Sequence, residues 1–309
     1  MVIFYGEYSI KYIAKEFAQL PVYKGTTLYG SVKSGLKQTI CALKFQRCET
    51  CILLESCLFP SVFFPGQSIE NKETIKPEPI VISPPPDYKT CYKKGAWLKF
   101  KIILLGEINN KKSYFIYALT KASQAGIGKR IHGKRGRFVL QEIKQGKKII
   151  YNDIEKIIYT HALNSIKFSE NSDEKRKYVN ICVRFETPLL LISKNKRDNF
   201  LSFISLSKAI IERTCTIFEN YGKTPLNIDI DKLLLKAKTV KFSTLDIYWY
   251  DLRKYSFQKK KNINMGGIKG NIVYKDVPVE FLPFFEFCEK VNIGIQTSMG
   301  FGKIKTTIL

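Results

Sequence analysis

Apolar residues recur at two different periods along this chain, and the switches between them divide it into elements. From Met1 to Phe17 apolar and polar residues mix at short period, which predicts a strand ended by Leu20-Pro21. From Thr26 to Ile40 the period lengthens. Leu28, Val32, Leu36 and Ile40 stand four apart on one face of a helix, Thr26 or Thr27 is placed to cap it, and Lys33 and Lys37 fall on a different face. Cys41 to Phe64 reads as a cysteine-bearing insertion. Gly66 to Asp87 is polar and proline-rich (Pro77, Pro79, Pro84, Pro85, Pro86), an irregular arm with one short strand at Ile80 to Ile82. Periodic order returns with a strand at Trp97 to Gly106, a helix at Ser113 to Ala125, a strand at Phe138 to Ile143, and Ile149 to Asn152 paired to it through a turn at Gly146. Strand, helix, strand, strand, helix, strand is the βαββαβ order of a ferredoxin-like unit.

The charged stretch Glu170 to Lys177 reads as a linker, and the same order then returns. Tyr178 to Ile192 predicts a strand bent at Pro188. Asn199 to Tyr221 predicts a helix with Phe200, Phe203, Ile204, Ser207, Ile211, Thr214 and Phe218 on one face, stopped by Gly222. Strands at Lys238 to Asp251 and Ile268 to Tyr274, a helix at Val279 to Lys290, and a glycine turn and strand over Asn292 to Ile308 complete the copy. The expected fold class is α+β: tandem ferredoxin-like (RRM-like) domains over 1–172 and 173–309, with the cysteine-rich insertion (41–64) and proline-rich arm (66–87) in the first. Each copy carries a glycine feature beside its final strand.

Composition narrows the function. In 309 residues, 51 Lys and Arg stand against 27 acids, a formal charge of +24 that points to a polyanionic partner. Richness in Lys, Ile, Asn and Tyr is also what biased codon usage produces, but such bias does not explain the scarcity of acids. Glu7 and Lys11 interrupt what a signal peptide would keep apolar, and no stretch is long enough to span a bilayer, so a cytoplasmic location is expected. Cysteines there are reduced or metal-bound.

The basic stretch Gly126 to Phe138 (G-I-G-K-R-I-H-G-K-R-G-R-F) alternates glycine with Lys129, Arg130, Lys134, Arg135 and Arg137. It reads as a loop whose free backbone lets amides converge on an anion while the cations reach phosphates; a solvated basic loop is the plain alternative. His132, inside it, brings an imidazole, the side chain best suited to exchange protons with a bound nucleotide. His161 reads as a packed or surface histidine. Gly294 to Lys303 is a second close-approach element, with donors on Gln296, Ser298 and Lys303, or else a simple β-turn. Trp249 to Lys261 interleaves aromatics with cations, including Arg253, Gln258 and Lys259, which suits stacking plus phosphate contact or an exposed strand end.

Cys41, Cys48, Cys51 and Cys57 form C-x6-C-x2-C-x5-C, a tetrahedral sulfur set for structural zinc; an iron–sulfur cluster satisfies the same spacing, and four unrelated thiols is the plain alternative. Cys91, Cys182, Cys215 and Cys288 are scattered, with Cys182 and Cys215 inside apolar patterns that predict burial. No H-E-x-x-H, Walker loop, kinase set or paired-carboxylate constellation is present in the sequence, so nothing argues for catalytic magnesium.

Several segments together resemble the CRISPR-associated repeat endoribonucleases, the Cas six family of the RAMP superfamily. They are Y-K-G-T-T-L-Y-G-S-V-K-S-G-L-K, G-I-G-K-R-I-H-G-K-R-G-R-F-V-L, W-Y-D-L-R-K-Y-S-F-Q, M-G-G-I-K-G-N-I-V-Y and, the most specific, G-I-Q-T-S-M-G-F-G-K. The resemblance covers most of the chain. It implies two ferredoxin-like domains side by side that bind CRISPR repeat RNA and cut precursor crRNA without a catalytic metal. In that chemistry the ribose 2′-hydroxyl attacks the adjacent phosphate, leaving a 2′,3′-cyclic phosphate and a 5′-hydroxyl. Family members commonly use His, Tyr or Lys near the first helix. Here Tyr29, Lys33, Ser34 and Lys37 occupy those turns, with Tyr29 where the family often has Arg and no histidine. Lys33 and Lys37 are then expected to stabilise charge while Tyr29 or His132 exchanges the proton. Ile295 and Gln296 replace a more glycine-rich opening of the last motif. A non-catalytic RNA-binding subunit of a CRISPR effector complex is the alternative from another class, with effector subunits as further partners. A cysteine-rich DNA-binding regulator is a third, weakened by the lack of a helix-turn-helix pattern.

Overall fold

A computed structural model describes the chain except residues 45, 67–75, 160, 169–175, 194–195, 198–200 and 257–260. It is a mixed α/β protein with antiparallel sheets, divided into two compact units: Ile3–Ser165, and Ile166–Leu309 together with Met1–Val2. The division falls at Ser165/Ile166, ahead of the 172/173 boundary expected from the charged linker, most of which lies outside the described residues.

The N-terminal unit runs β1 (Val2–Ala14), β2 (Ala18–Gln19), α1 (Gly25–Ile40), α2 (Leu58–Phe63), β3 (Ile80–Ser83), β4 (Cys91–Tyr92), β5 (Trp97–Leu105), α3 (Lys112–Gln124), β6 (Arg130–Ile131), β7 (Lys134–Arg135), β8 (Phe138–Gln145) and β9 (Lys148–Asn152). The main sheet is ordered β3-β5-β1-β8-β9. β1 is central because its alternation gives it one wholly apolar face: Tyr8, Ile10, Tyr12 and Ala14 are buried, while Glu7, Ser9 and Lys11 are not. It pairs antiparallel with β5 from Tyr5↔Leu105 to Ile13↔Trp97, and with β8 through a bulge at Lys11/Tyr12. The buried face meets α3, where the Tyr12 hydroxyl donates to the Leu119 carbonyl at 2.9 Å. Helix α1 lies against α3 at Gly35, where any Cβ would run into the Ala118 carbonyl oxygen. Contrary to the expected threonine cap, the helix starts at Gly25 behind Lys24 with no side-chain cap, and Thr26 is buried in its first turn. Lys24 is itself fully buried, its Nζ donating to Asp87 Oδ1 and the Asp87 carbonyl, each at 3.0 Å, so the proline-rich arm is tied to the start of α1.

The short strand β10 (Asn164–Lys167) lies across the division. The C-terminal unit continues with β11 (Tyr178–Leu189), β12 (Ile192–Ser193), β13 (Lys196–Arg197), α4 (Phe203–Tyr221), α5 (Ile230–Ala237), β14 (Lys241–Tyr250), β15 (Arg253–Ser256), β16 (Lys261–Asn264), β17 (Gly267–Pro278), α6 (Leu282–Val291) and β18 (Ile304–Ile308). Its sheet is ordered β14-β17-β11-β18. Taking β1, β3, β5 and β8 as the first to fourth strands of one copy and β11, β14, β17 and β18 as those of the other, both sheets place second, third, first and fourth strands side by side. Phe203 of α4 anchors the core, with ring centroids 5.0 Å from Tyr274 and 5.1 Å from Phe281, each such burial worth about 1.5–3 kcal/mol. Ser202 caps α4 by accepting from the Ser205 N–H. Helix α5 was not expected from the sequence; it buries only Ala237.

Candidate nucleic-acid interface

The basic glycine stretch is not the open loop its composition predicts. β6 and β7 form a two-stranded hairpin with Arg130↔Arg135 and Ile131↔Lys134 in register. His132 and Gly133 are the two-residue turn, with φ of 47° and 80°, the left-handed values that hairpin turns of this length require. Directly paired residues share a face, so Arg130 and Arg135 stand side by side, both exposed. Like charges placed this way repel unless an anion lies between them. Lys129, His132 and Lys134 are exposed as well.

The expected nest of free amides is also replaced. The N–H groups of Gly126, Ile127 and Lys129 donate to the carbonyls of Ser123, Gly136 and Gln19. The glycines serve close docking instead: a Cβ on Gly128 would strike the Gln19 carbonyl of β2, and one on Gly136 would strike Ala18. The candidates that remain to meet an anion include the cationic side chains. Among these, Arg137 is engaged: its Nε and backbone N–H both donate to Glu16 Oε1 at 3.0 Å, and its Nη2 to Oε2 at 3.3 Å. These hydrogen bonds hold the Glu16 carboxyl below its ordinary range and push the Arg137 guanidinium up. Arg137 therefore ties the chain just beyond the hairpin to Glu16, while Arg130 and Arg135 form the exposed pair of the hairpin farther from its turn.

Tyr29, Lys33 and Lys37 form one stripe of α1, and the stripe faces α2. Lys33 Nζ lies 4.0 Å from the ring centroid of Phe64 and 5.2 Å from that of Phe63, and Lys37 Nζ lies 5.7 Å from that of Phe59. Tyr29 is buried, its ring edge-on to Phe63 and its hydroxyl donating to Glu78 Oε1 at 2.7 Å. The structure thus brings three of the four expected catalytic side chains together and puts His132 on the hairpin.

In the insertion, Cys41 ends α1, Cys57 precedes α2, and Cys48 and Cys51 bracket a 3-10 turn closed by the Cys51 N–H on the Cys48 carbonyl at 3.1 Å. All four are half-buried free thiols. Burial raises the Cys48 thiol; Lys37 opposes this, and Glu49, Cys41 and Cys57 add to it. Among the described residues, no three His, Cys, Asp or Glu side chains already stand as an ion-binding set. Of the scattered cysteines Cys288 is buried, whereas Cys182 and Cys215 are half-buried rather than enclosed.

The C-terminal glycine run contains a 3-10 turn, Thr297–Met299, between Gln296 and Gly300, both left-handed. Ser298 is buried rather than presented, and Lys303 Nζ pairs with Glu186 at 2.9 Å. Arg213 of α4, which no sequence pattern singles out, donates to the Val291 carbonyl at 3.1 Å, the Asn292 carbonyl at 3.3 Å and Thr297 Oγ1 at 2.9 Å, and so clamps the run. In the aromatic stretch Tyr248 is exposed, Trp249 Nε1 donates to Asp251 at 3.0 Å, and Lys269 Nζ lies 5.2 Å from the Tyr250 ring centroid. Arg253 pairs through its backbone with Asn264; Gln258 and Lys259 lie outside the described residues. Among the described residues no helix is long and apolar enough to cross a membrane.

Two family models match the chain. One, described as an N-terminal domain, covers residues 3–166, and the other, the CRISPR-associated endoribonuclease Cas6, covers residues 183–304. No curated protein sequence matches. Among solved structures, a partial Cas6-RT-Cas1–Cas2 complex is similar over 99% of this chain at 12% identity and a TM-score of 0.59, the match spanning 46% of the neighbour's chain. A Cas6 product complex matches at 11% identity and 0.55, covering 98% of this chain and 100% of that one. Thermus thermophilus Cas6 matches at 10% identity and 0.54, covering 99% of both. At these identities the neighbours establish the fold.

Proposed function

Because residues 183–304 match the family of the CRISPR-associated endoribonuclease Cas6 and the chain shares the fold of solved Cas6 structures, we propose that it is a Cas6-family protein that binds CRISPR repeat RNA and cuts precursor crRNA without a catalytic metal. The observation that carries the RNA-binding half is the exposed arginine pair Arg130 and Arg135, held on one face of the hairpin with no acid between them in the ladder. Both units are assigned ferredoxin-like folds on their shared strand order.

In the proposed reaction the 2′-oxygen forms a bond to the adjacent phosphorus as the bond to the 5′-oxygen breaks. The 2′-proton passes to a base, and an acid delivers a proton to the leaving oxygen. Lys33 and Lys37 are assigned to the negative charge that builds on the phosphate. Of the two proton-exchange candidates, His132 is the exposed one, whereas the Tyr29 hydroxyl is buried and bound to Glu78; we assign the exchange to His132. Incubating the whole protein with repeat RNA in excess EDTA tests the scheme. The expected result is a cut bearing a cyclic phosphate, abolished by one 2′-deoxy substitution at the scissile nucleotide.

The engagement of Tyr29 and the absence of histidine on α1 favour a second reading, a non-catalytic RNA-binding subunit of a CRISPR effector complex. Tight binding with the RNA left intact would establish that reading and refute the first.

A further inference from the structure

We propose that the segment joining α1 and α2 is closed by a structural zinc ion held by the thiolates of Cys41, Cys48, Cys51 and Cys57. The register of the two helices carries the argument. Tyr29 and Lys33 of α1 meet Phe63, Lys33 also meets Phe64, and Lys37, one turn later, meets Phe59. Tyr29 and Lys33 meet the C-terminal end of α2 and Lys37 meets its start, so the helices run antiparallel. Continuing that order by one more turn sets Cys41, at the end of α1, opposite Cys57, just before α2. Cys48 and Cys51 lie in the connection between them and are bracketed by a single tight turn, which is how a C-x2-C pair offers two sulfurs to one ion.

The connection also lacks another reason to hold its shape. Among the described residues from 41 to 57 Leu54 alone is buried, while Ile52 is 80% exposed. Helix α2 has six residues, too few to be stable by itself. Where hydrophobic burial is this small, a metal cross-link is the usual source of order, because its binding free energy is folding free energy. Zinc suits four thiolates, has no redox demand and accepts a closed site. Binding releases the thiol protons and leaves a doubly negative centre, whose charge Lys37, Lys44 and Arg47, near the cysteines along the chain, would offset. The ion would draw in thiols that do not yet form a set and would fix Phe59, Phe63 and Phe64 beneath Lys33 and Lys37.

Elemental analysis of the full chain, purified without chelator, tests this directly. The expected content is about one zinc per chain. Replacing it with Co2+ should give the visible bands of tetrahedral cobalt with thiolate charge transfer in the near ultraviolet. A Cys48→Ser/Cys51→Ser variant should lose both zinc and spectrum, and Cys91→Ser should keep them. Should the double variant fail to fold, Cys51→His retains a donor and should show tetrahedral cobalt with shifted bands. Wild-type protein that holds no zinc and develops no cobalt bands on titration overturns the proposal. Stoichiometric iron and sulfide, zinc retained by a folded double variant, or unshifted bands in Cys51→His would each do the same.

Discussion

Of the five cations in the basic stretch, the structure separates those free to meet phosphate from one already neutralised, and this difference is measurable as salt dependence. Each phosphate contact on a single strand contributes about 0.7 to the slope of log affinity against log salt. Arg130→Ala/Arg135→Ala should therefore flatten the slope for repeat RNA by about 1.4. Between about 50 and about 200 mM salt, the affinity gap between wild type and variant should then shrink by about sevenfold. Arg137→Ala should leave the slope near its wild-type value, because Glu16 accepts from both its guanidinium and its backbone. Glu16→Gln, which frees Arg137, should steepen the slope by up to about 0.7. Fluorescence anisotropy across a salt series, read as slopes rather than single affinities, separates lost phosphate contacts from a loosened hairpin. A double variant with the wild-type slope, or an Arg137→Ala variant as flat as the others, would refute the assignment.

Two glycines of α1 should respond in opposite directions. Gly30 is exposed with nothing within 4 Å of a built Cβ, so Gly30→Ala should stabilise by about 0.5–1 kcal/mol through helix propensity. Gly35→Ala presses a methyl onto the Ala118 carbonyl and should cost about 1–3 kcal/mol; thermal melts of the two showing the same sign would contradict the α1–α3 packing. The anchor at Arg137 should depend on pH in one direction only: a carboxyl held low stabilises its contacts above its ordinary range and loses them as pH falls through the depressed folded value. The protection factor of the Arg137 amide, its exchange rate corrected for the intrinsic pH dependence, should fall on acidification and lose that pH step in Glu16→Gln, and an unchanged step would dismiss Glu16 as the anchor.

How much of this was legible in the sequence depended on whether a residue's partner was near it along the chain. The α1 face was readable because Leu28, Val32 and Leu36 repeat at the helical period, and all three are fully buried. The strand β1 was readable by its alternation. The hairpin was missed because two-residue strands of Lys and Arg carry no hydrophobic alternation; its one local signal was His132-Gly133, a turn pair ending in glycine between short matching flanks. Helix α5 had a local signal too, Asp229 accepting from the Lys232 N–H, but with so little burial its pattern merged into that of β14. What no window could supply was the pairing of Glu16 with Arg137 across 121 positions, or of Arg213 with Thr297 across 84. Composition ranked the five cations of the basic stretch alike. Long-range geometry divides them, so the net charge of +24 measures attraction to a polyanion in general, while the proposed grip on a particular phosphate rests on where the fold sets individual cations, as it sets Arg130 beside Arg135 and Arg137 against Glu16.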